Sequence, residues 1–543
     1  MAVPRGLTVL VVAGSLVLAG CTGGGQDRTP GAVGPSSAPS PSAPAALQAD
    51  VQAPAGTSVV AGTTVAGLAN AVAASLFRRA PVAVVVSSTA DAEVGPAAAT
   101  ATRLGVPVLV DGDGGNLAGR LAALGTTTVL RVRAPTVRAP TVRAPTGQTS
   151  PVLPSPARTS SARSSGGPGS DGYPGVTVVD SADQLPVTAA PSSPLVSTTV
   201  LVRTGDAATD PAVAAGAVVT ATAKAAGARV VDVVADDPRS DTAAISALQQ
   251  APQGPLLAVG AGFGTSEVLT HRVAVARTGV QLPGGGQTVF PGRALVALYG
   301  YPGSSSLGVL GEQGPSASVA RAQRVAAPYA ALYDVPVVPT FEIIATVASG
   351  SPGADGDYSN EAGVATLQPL VDAATAAGMY VVLDLQPGRA DLVTQAQRYA
   401  SLLARPNVGL ALDPEWALGP DQVPLQQIGS VTAQRVNAVV TWLSDLTAAA
   451  NLPQKLLVLH QFRLSMITDE AALDTTDDDV TLLIHADGQG GRSQKEATWH
   501  AIVRAAPAGI HFGWKNFYDE DPQIASPADT VRRHPVPLMV SYQ

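Results

Sequence analysis

From Ala294 onward, short apolar runs alternate with stretches whose apolar positions recur every three or four residues. The runs are Leu295 to Tyr299, Val337 to Ile343, Tyr380 to Leu385, Val408 to Leu412, Leu456 to His460, Val480 to His485, Ile510 to Trp514 and Pro537 to Tyr542. Runs of this length bounded by turn residues read as buried strands. Between them, Leu367, Leu370, Val371 and Ala374 make one helical stripe, and Leu392, Ala396, Tyr399 and Leu403 another. Eight strand-then-helix units in about 250 residues are the dimensions of a closed (β/α)8 barrel, a TIM barrel, which we place at 290–543.

The upstream pattern is also strand and helix, but it repeats. Val82 to Ser87, a helix over Ala97 to Leu104, Val106 to Val110 and Thr126 to Val132 form one set. Thr199 to Arg203, a helix over Ala214 to Ala226, Val230 to Val234 and Leu256 to Val259 form a second. Two such units predict a parallel α/β domain over 57–280. Each copy carries an Asp after its first strand (Asp91, Asp206) and a Thr-Ala-Thr in the next helix (Thr100 to Thr102, Thr220 to Thr222). This arrangement resembles the type 2 cell-wall-binding repeat of Gram-positive surface proteins, which implies attachment to a wall polymer; a scaffold without a ligand is the other reading. Residues 133–175 hold a tandem Ala-Pro-Thr-Val-Arg and a Ser/Gly/Pro tract, predicting a disordered insertion. Gly260 to Gly264 lacks the rest of a phosphate-loop motif, so no nucleotide site is assigned to it.

At the start, Arg5 precedes an apolar run from Leu7 to Leu18, too short for a stop-transfer span and suited to a signal-peptide core. The run ends in Leu18-Ala19-Gly20-Cys21, which resembles a bacterial lipobox. The resemblance implies a signal peptide over 1–21, lipidation of Cys21 and an extracytoplasmic protein anchored to the outer face of the membrane. Residues 22–56, rich in Gly, Pro, Ser and Ala, read as a disordered linker.

Composition narrows the chemistry. A net charge of −8 and no basic patch with interleaved aromatics argue against a nucleic-acid partner. One cysteine allows neither an intramolecular disulfide nor a cysteine metal cluster. The sequence lacks a G-x-S-x-G elbow, and no cofactor is expected. Oligomeric state is not legible.

All 4 Trp, and all but one of the Tyr and of the His, lie in the barrel half. Glu342, Asp384, Asp413, Glu415, His460, His485, Asp487 and Lys515 fall at or just after strand C-termini, where such barrels build their sites. Asp413 and Glu415 are two apart, so a continuing strand would turn both carboxylates to the mouth, where crowding raises one pKa and leaves an acid beside a base. Glycoside hydrolysis uses that pair. The candidate catalytic set is therefore Glu415 as general acid, Asp413 tuning it, and Asp384, Glu342 or Asp487 as base or nucleophile. Trp416, His460, Gln461, His485, Trp514 and Lys515 are the candidate substrate contacts.

Structural roles stay open beside these: Asp413 and Glu415 pairing with Arg389 or Lys515, and His460 and His485 as core histidines. A metal site from His485, Asp487, His460 and Asp384 has no H-x-H or H-E-x-x-H behind it, so none is expected. Asp519-Glu520-Asp521 reads as a solvated loop. The D-x-E at the fourth strand resembles that of family 25 lysozymes and family 18 chitinases, although Val408 and Ala411 stand where family 18 has aspartates. LALDPEW, PQKLLVLHQF, LLIHADGQG and GWKNFYDED together resemble an uncharacterised group of actinobacterial lipoproteins with a barrel of this kind. The expected function is a lipid-anchored, glycoside-hydrolase-like protein acting on wall or envelope polysaccharide. The alternative is a surface protein that binds such a polymer without cleaving it.

Overall fold

The computed structural model describes residues 46–133 and 173–543. The segment expected to be a signal peptide, Cys21 and nearly all of the Arg-rich stretch over 133–175 lie outside them. Residues 46–56, expected in the linker, carry short pairings: Leu47–Gln48 runs parallel to Thr188–Ala189, and Asp50–Val51 antiparallel to Phe77–Arg79.

Val82–Val86 is buried along its whole length, as a strand covered on both faces must be. It is a central strand of a four-stranded parallel sheet ordered Val108–Val110, Val82–Val86, Thr128–Val132, Thr177–Val179. A second parallel sheet has the equivalent order: Arg229–Val233, Thr199–Arg203, Leu256–Val259, Thr57–Val60. The last strand of each was not expected. In the first sheet it follows its neighbours in sequence, whereas in the second it comes from ahead of the first sheet altogether. The described chain thus lays one strand of the second sheet, builds the whole of the first from 82–179 and then returns, so the second sheet is completed by a segment from ahead of the first.

Helices Val65–Leu76, Asp91–Leu104 and Pro211–Ala225 pack together between these units. The second Thr-Ala-Thr serves this packing: the buried Thr222 hydroxyl accepts from Val108 N and donates to Val108 O, both at 3.1 Å. Asp206 caps a turn by accepting from Ala208 N, and Asp91 is the first residue of its helix.

In the C-terminal half a closed barrel of eight parallel strands forms. These are β1 Ala294–Gly300, β2 Val337–Ala348, β3 Tyr380–Leu385, β4 Val408–Leu412, β5 Lys455–Gln461, β6 Val480–Ala486, β7 His511–Asn516 and β8 Met539–Tyr542. Pairing of β8 with β1, Leu295 opposite Met539 through Leu298 opposite Tyr542, shuts the ring. Helix Val364–Ala376 buries the predicted stripe of Leu367, Leu370, Val371 and Ala374. The second stripe is split between Leu392–Gln397 and Ala400–Leu403, with Tyr399 at the break. Among the described residues no helix is long and apolar enough to cross a membrane.

The N-terminal end of the barrel is stoppered. Leu282, Val289 and Phe290, from the segment leading into β1, pack with the inward Leu295, Val338, Tyr380, Leu456 and Met539. At the same end Arg239, 1% exposed, ion-pairs with Asp237, Asp478 and Asp479, the last two immediately before β6. His271 meets Asp479 at 2.8 Å and Arg272 meets Asp478 at 2.6 Å. A buried guanidinium that loses its carboxylates is left uncompensated, so this network holds the second sheet's unit to the barrel floor. Because the strands are parallel, the clamp lies at the end of the barrel opposite the strand C-termini.

Candidate functional site

Successive strand residues face opposite sides, so one parity along each strand fills the barrel and the other meets the helices. On β3 the interior takes Tyr380 and Val382, which cluster with the core of the barrel, while Val381, Leu383 and Leu385 join the outer layer. The next inward position is Asp384. The same count on β5, from Leu456 and Val458, gives His460. On β1 it gives Tyr299, on β2 Glu342 and on β8 Ser541. On β6 it gives His485 and, just past the strand, Asp487; on β7 it gives Lys515. An apolar lower interior is thus topped by a polar layer, with these side chains 0–8% exposed.

The fourth strand contributes differently from expectation. It ends at Leu412, because Pro414 has no N–H to extend the ladder, and Pro414–Trp416 forms a single 3-10 turn with Asp413 before it. Asp413 N still donates to Leu385 O at 3.0 Å. The turn, not the pleat, brings Glu415 back: donor oxygens of Asp413, Glu415 and Asp487 lie within 4.8 Å of one another. Trp416 is half-buried on the same turn.

His460 anchors the layer. Its Nδ1 lies 3.0 Å from Asp487 Oδ2 and its Nε2 3.0 Å from Glu342 Oε1, with Asp384 Oδ1 at 3.9 Å. Tyr299 donates its hydroxyl to Asp384 Oδ2 at 2.7 Å. Lys515 Nζ lies 3.1 Å from Asp487 Oδ1 and 3.7 Å from the centre of the Tyr299 ring. His485 stands edge-on to His460 at 5.2 Å, with Ser541 Oγ 3.4 Å from its Nε2. Room for His485 depends on Gly513: a Cβ there would sit 2.2 Å from His485 Cδ2.

These contacts sort the ionisable groups. Burial pushes Glu415 up to about 7, helped by the negative charge of Asp487. Burial likewise lifts Asp384 to about 6, and holds Asp413 well above the usual carboxylate range, with Asp384 adding to it. Burial also works against ionised Asp487, but Lys515 and His460 overcome it and hold Asp487 below the ordinary range. His460 resists the same burial through Asp413, Glu342 and Asp487 and stays protonated, whereas burial drives His485 down to about 3 and leaves it neutral. The result is a protonated carboxyl, Glu415, next to an ionised one, Asp487.

Of the sequence candidates, Glu342, Asp384, Asp413, Glu415, His460, His485, Asp487 and Lys515 converge. Gln461 and Trp514 do not. Gln461 is on the outward parity of β5 and donates to Glu470 Oε2 at 2.9 Å. Trp514 is on the outward parity of β7, edge-on to Trp499 and under the Arg533 guanidinium at 3.4 Å. Arg389 pairs with neither Asp413 nor Glu415; it lies over the Tyr358 ring and donates to Gln422 O. Asp521 is not solvated either: it is buried, ion-paired with Lys495, and accepts from Gly490 N and Phe517 N.

Tyr299 and Ser541 were missed, although counting two residues on from Ala297 and from Met539 reaches them. Three groups at the mouth have donor atoms close enough to share a cation: Glu342, His460 and His485; Asp384, Asp413 and His460; and Asp413, Glu415 and Asp487. A search of protein-family models and of curated proteins finds no match to this chain.

Proposed function

We propose that the barrel mouth is the active site of a hydrolase of glycosidic bonds, with Glu415 as general acid and Asp487 as its ionised partner. The observation that carries this reading is the divergence of these two neighbouring carboxyls, Glu415 up to about 7 and Asp487 below the ordinary range, with oxygens within 4.8 Å. Adjacent groups whose environments drive their pKa values apart are the usual basis for an acid and base assignment. Retaining glycosidases hold their carboxyls about 5–5.5 Å apart and inverting ones about 6.5–9.5 Å, leaving room for water. The Glu415 and Asp487 oxygens, within 4.8 Å, are closer than either range and nearer the retaining one.

In that scheme Glu415 protonates the glycosidic oxygen as Asp487 attacks the anomeric carbon and the C–O bond breaks. Water then attacks the glycosyl-Asp487 ester, giving its proton to Glu415. Lys515 and His460 keep Asp487 charged and oriented, and half-buried Trp416 offers a ring at the rim for a sugar face. The substrate would be a wall or envelope polysaccharide. That choice follows from the lipobox-like stretch ending at Cys21, which implies a lipid-anchored protein outside the membrane, and from the resemblance of the upstream repeats to wall-binding ones. The clamp at the barrel floor agrees with it, since a wall-attached upstream unit would leave the opposite end to the polymer.

The test is release of reducing ends from purified wall polysaccharides by the wild-type protein and by Glu415→Gln. Turnover by the first and its loss in the second supports the assignment. Equal turnover refutes it, and tight binding of oligosaccharide with no turnover by either protein favours the non-catalytic, polymer-binding alternative.

A further inference from the structure

We propose that Asp384, Asp413 and His460 form a binding site for one divalent transition-metal ion, Zn2+ or Mn2+, set beneath the Glu415 and Asp487 pair. One donor atom from each of the three lies within 4.8 Å of the others, and all three side chains are at most 2% exposed. They come from β3, the end of β4 and β5, neighbouring strands whose inward positions converge.

Independent of that clustering, the Asp413 carboxylate has no hydrogen bond or ion pair among the described residues, and its Oδ1 is buried. Leaving an acceptor dry and unmatched costs about 1–3 kcal/mol, more when it is charged. Asp384 shows a matching feature: Tyr299 takes its Oδ2, while its Oδ1, facing His460 Nε2 at 3.9 Å, is also without a hydrogen bond. Two buried carboxylate oxygens without donors, converging on one imidazole edge, are what a cation would satisfy.

The support around His460 also fits a metal ligand. Metal-bound histidines almost always give their second ring N–H to a carboxylate or carbonyl, which fixes the tautomer and raises ligand basicity. Here His460 Nδ1 is 3.0 Å from Asp487 Oδ2, and Asp487 is in turn held by Lys515 at 3.1 Å. Nε2 is then the atom aimed at the two aspartates. Glu342 Oε1, now 3.0 Å from that Nε2, would give up its hydrogen bond on metal binding and stands within reach as a fourth ligand.

One imidazole with carboxylates suits Zn2+ and Mn2+ better than Ca2+ or Mg2+, which take oxygen ligands. Zn–N and Zn–O bonds are about 2.0–2.2 Å, so the three atoms need only draw together. No short sequence motif marks the site because its ligands lie on three separate strands.

Neither Glu415 nor Asp487 is a ligand in this assignment, so metal binding can be read without any measure of turnover. Tag-free protein stripped with chelator would be titrated with ZnCl2 and, separately, MnCl2, with bound metal counted by mass spectrometry after equilibrium dialysis. The expected result is one ion per chain, a rise in Tm on loading, affinity lowered at least tenfold in Asp384→Asn and in His460→Gln, and affinity kept in Glu415→Gln. Should the variants fail to fold, CoCl2 added to the wild-type protein gives a second readout. A visible d–d absorption band removed by Zn2+ is expected. Failure of both metals to bind at 1:1 below about 1 mM, a range that corresponds to only about 4 kcal/mol, overturns the proposal. So does binding that the Asp384 and His460 variants leave unchanged.

Discussion

His460 and Asp487 meet at 3.0 Å in the interior of the barrel, and Lys515 holds the far side of the same carboxylate at 3.1 Å. Breaking a buried, hydrogen-bonded pair from one side typically costs about 3–5 kcal/mol because the remaining charge is stranded. Asp487→Asn leaves both cations short of a counter-charge, so its unfolding free energy in urea is expected to fall by about that amount. A loss under about 1 kcal/mol would show the contact to be loose.

Replacing Glu415 tests the acid without disturbing that pair. Glu415→Gln keeps shape and removes the proton donor, and general acid catalysis is worth roughly 10²–10⁴-fold. We expect kcat to drop by that factor with Tm unchanged below pH 7, since a neutral amide takes the place of a neutral carboxyl. Equal losses of activity and stability would assign Glu415 a structural role.

The pH dependence follows from the same groups. With Glu415 at about 7, kcat/KM is expected to fall tenfold per unit above that pH. On the acid side it should hold until Asp487 takes a proton, below the ordinary carboxylate range. Stability moves with the raised groups: Glu415 and Asp384, at about 7 and about 6, bind protons more tightly folded than unfolded. Their contribution is complete below the unfolded carboxyl pKa of about 4 and is lost as pH rises through 6 to 7. Tm should therefore decline between about pH 4 and 7, and less steeply in Glu415→Gln; a parallel decline in both proteins would contradict the shift.

The barrel strands were legible because buried parallel strands are continuous apolar runs, and the eighth had somewhere to close. The site was legible in part. Its acids sit at strand ends, but sidedness was not applied, so Gln461 and Trp514 were included and Tyr299 and Ser541 left out. Counting by two from Leu456 turns Gln461 outward, and from Ala297 it reaches Tyr299. The extra strands Thr57–Val60 and Thr177–Val179 are short, only partly apolar, and far in sequence from some of their neighbours, so no local pattern marks them. Asp521 pairs with Lys495 across an intervening strand, a relationship that exists only in three dimensions.

Sidedness makes its own prediction. Trp514→Ala empties the outer layer against Trp499 and Arg533, and such truncations cost about 3–5 kcal/mol. Trp416→Ala, at the rim, should cost little stability and raise KM for a polysaccharide substrate. Denaturation and initial-rate measurements on both variants separate the two roles. The opposite pattern, Trp514 governing KM and Trp416 governing stability, would reverse the assignment.

The most direct measurement needs no substrate. In protein labelled with 13C at the glutamate side-chain carboxyl, the Glu415 resonance can be assigned by its absence in Glu415→Gln and followed by NMR from pH 4 to 9. The account predicts a midpoint near 7. A midpoint near the ordinary glutamate value of about 4.3 would leave Glu415 ionised at neutral pH, with no proton to give, and would contradict it.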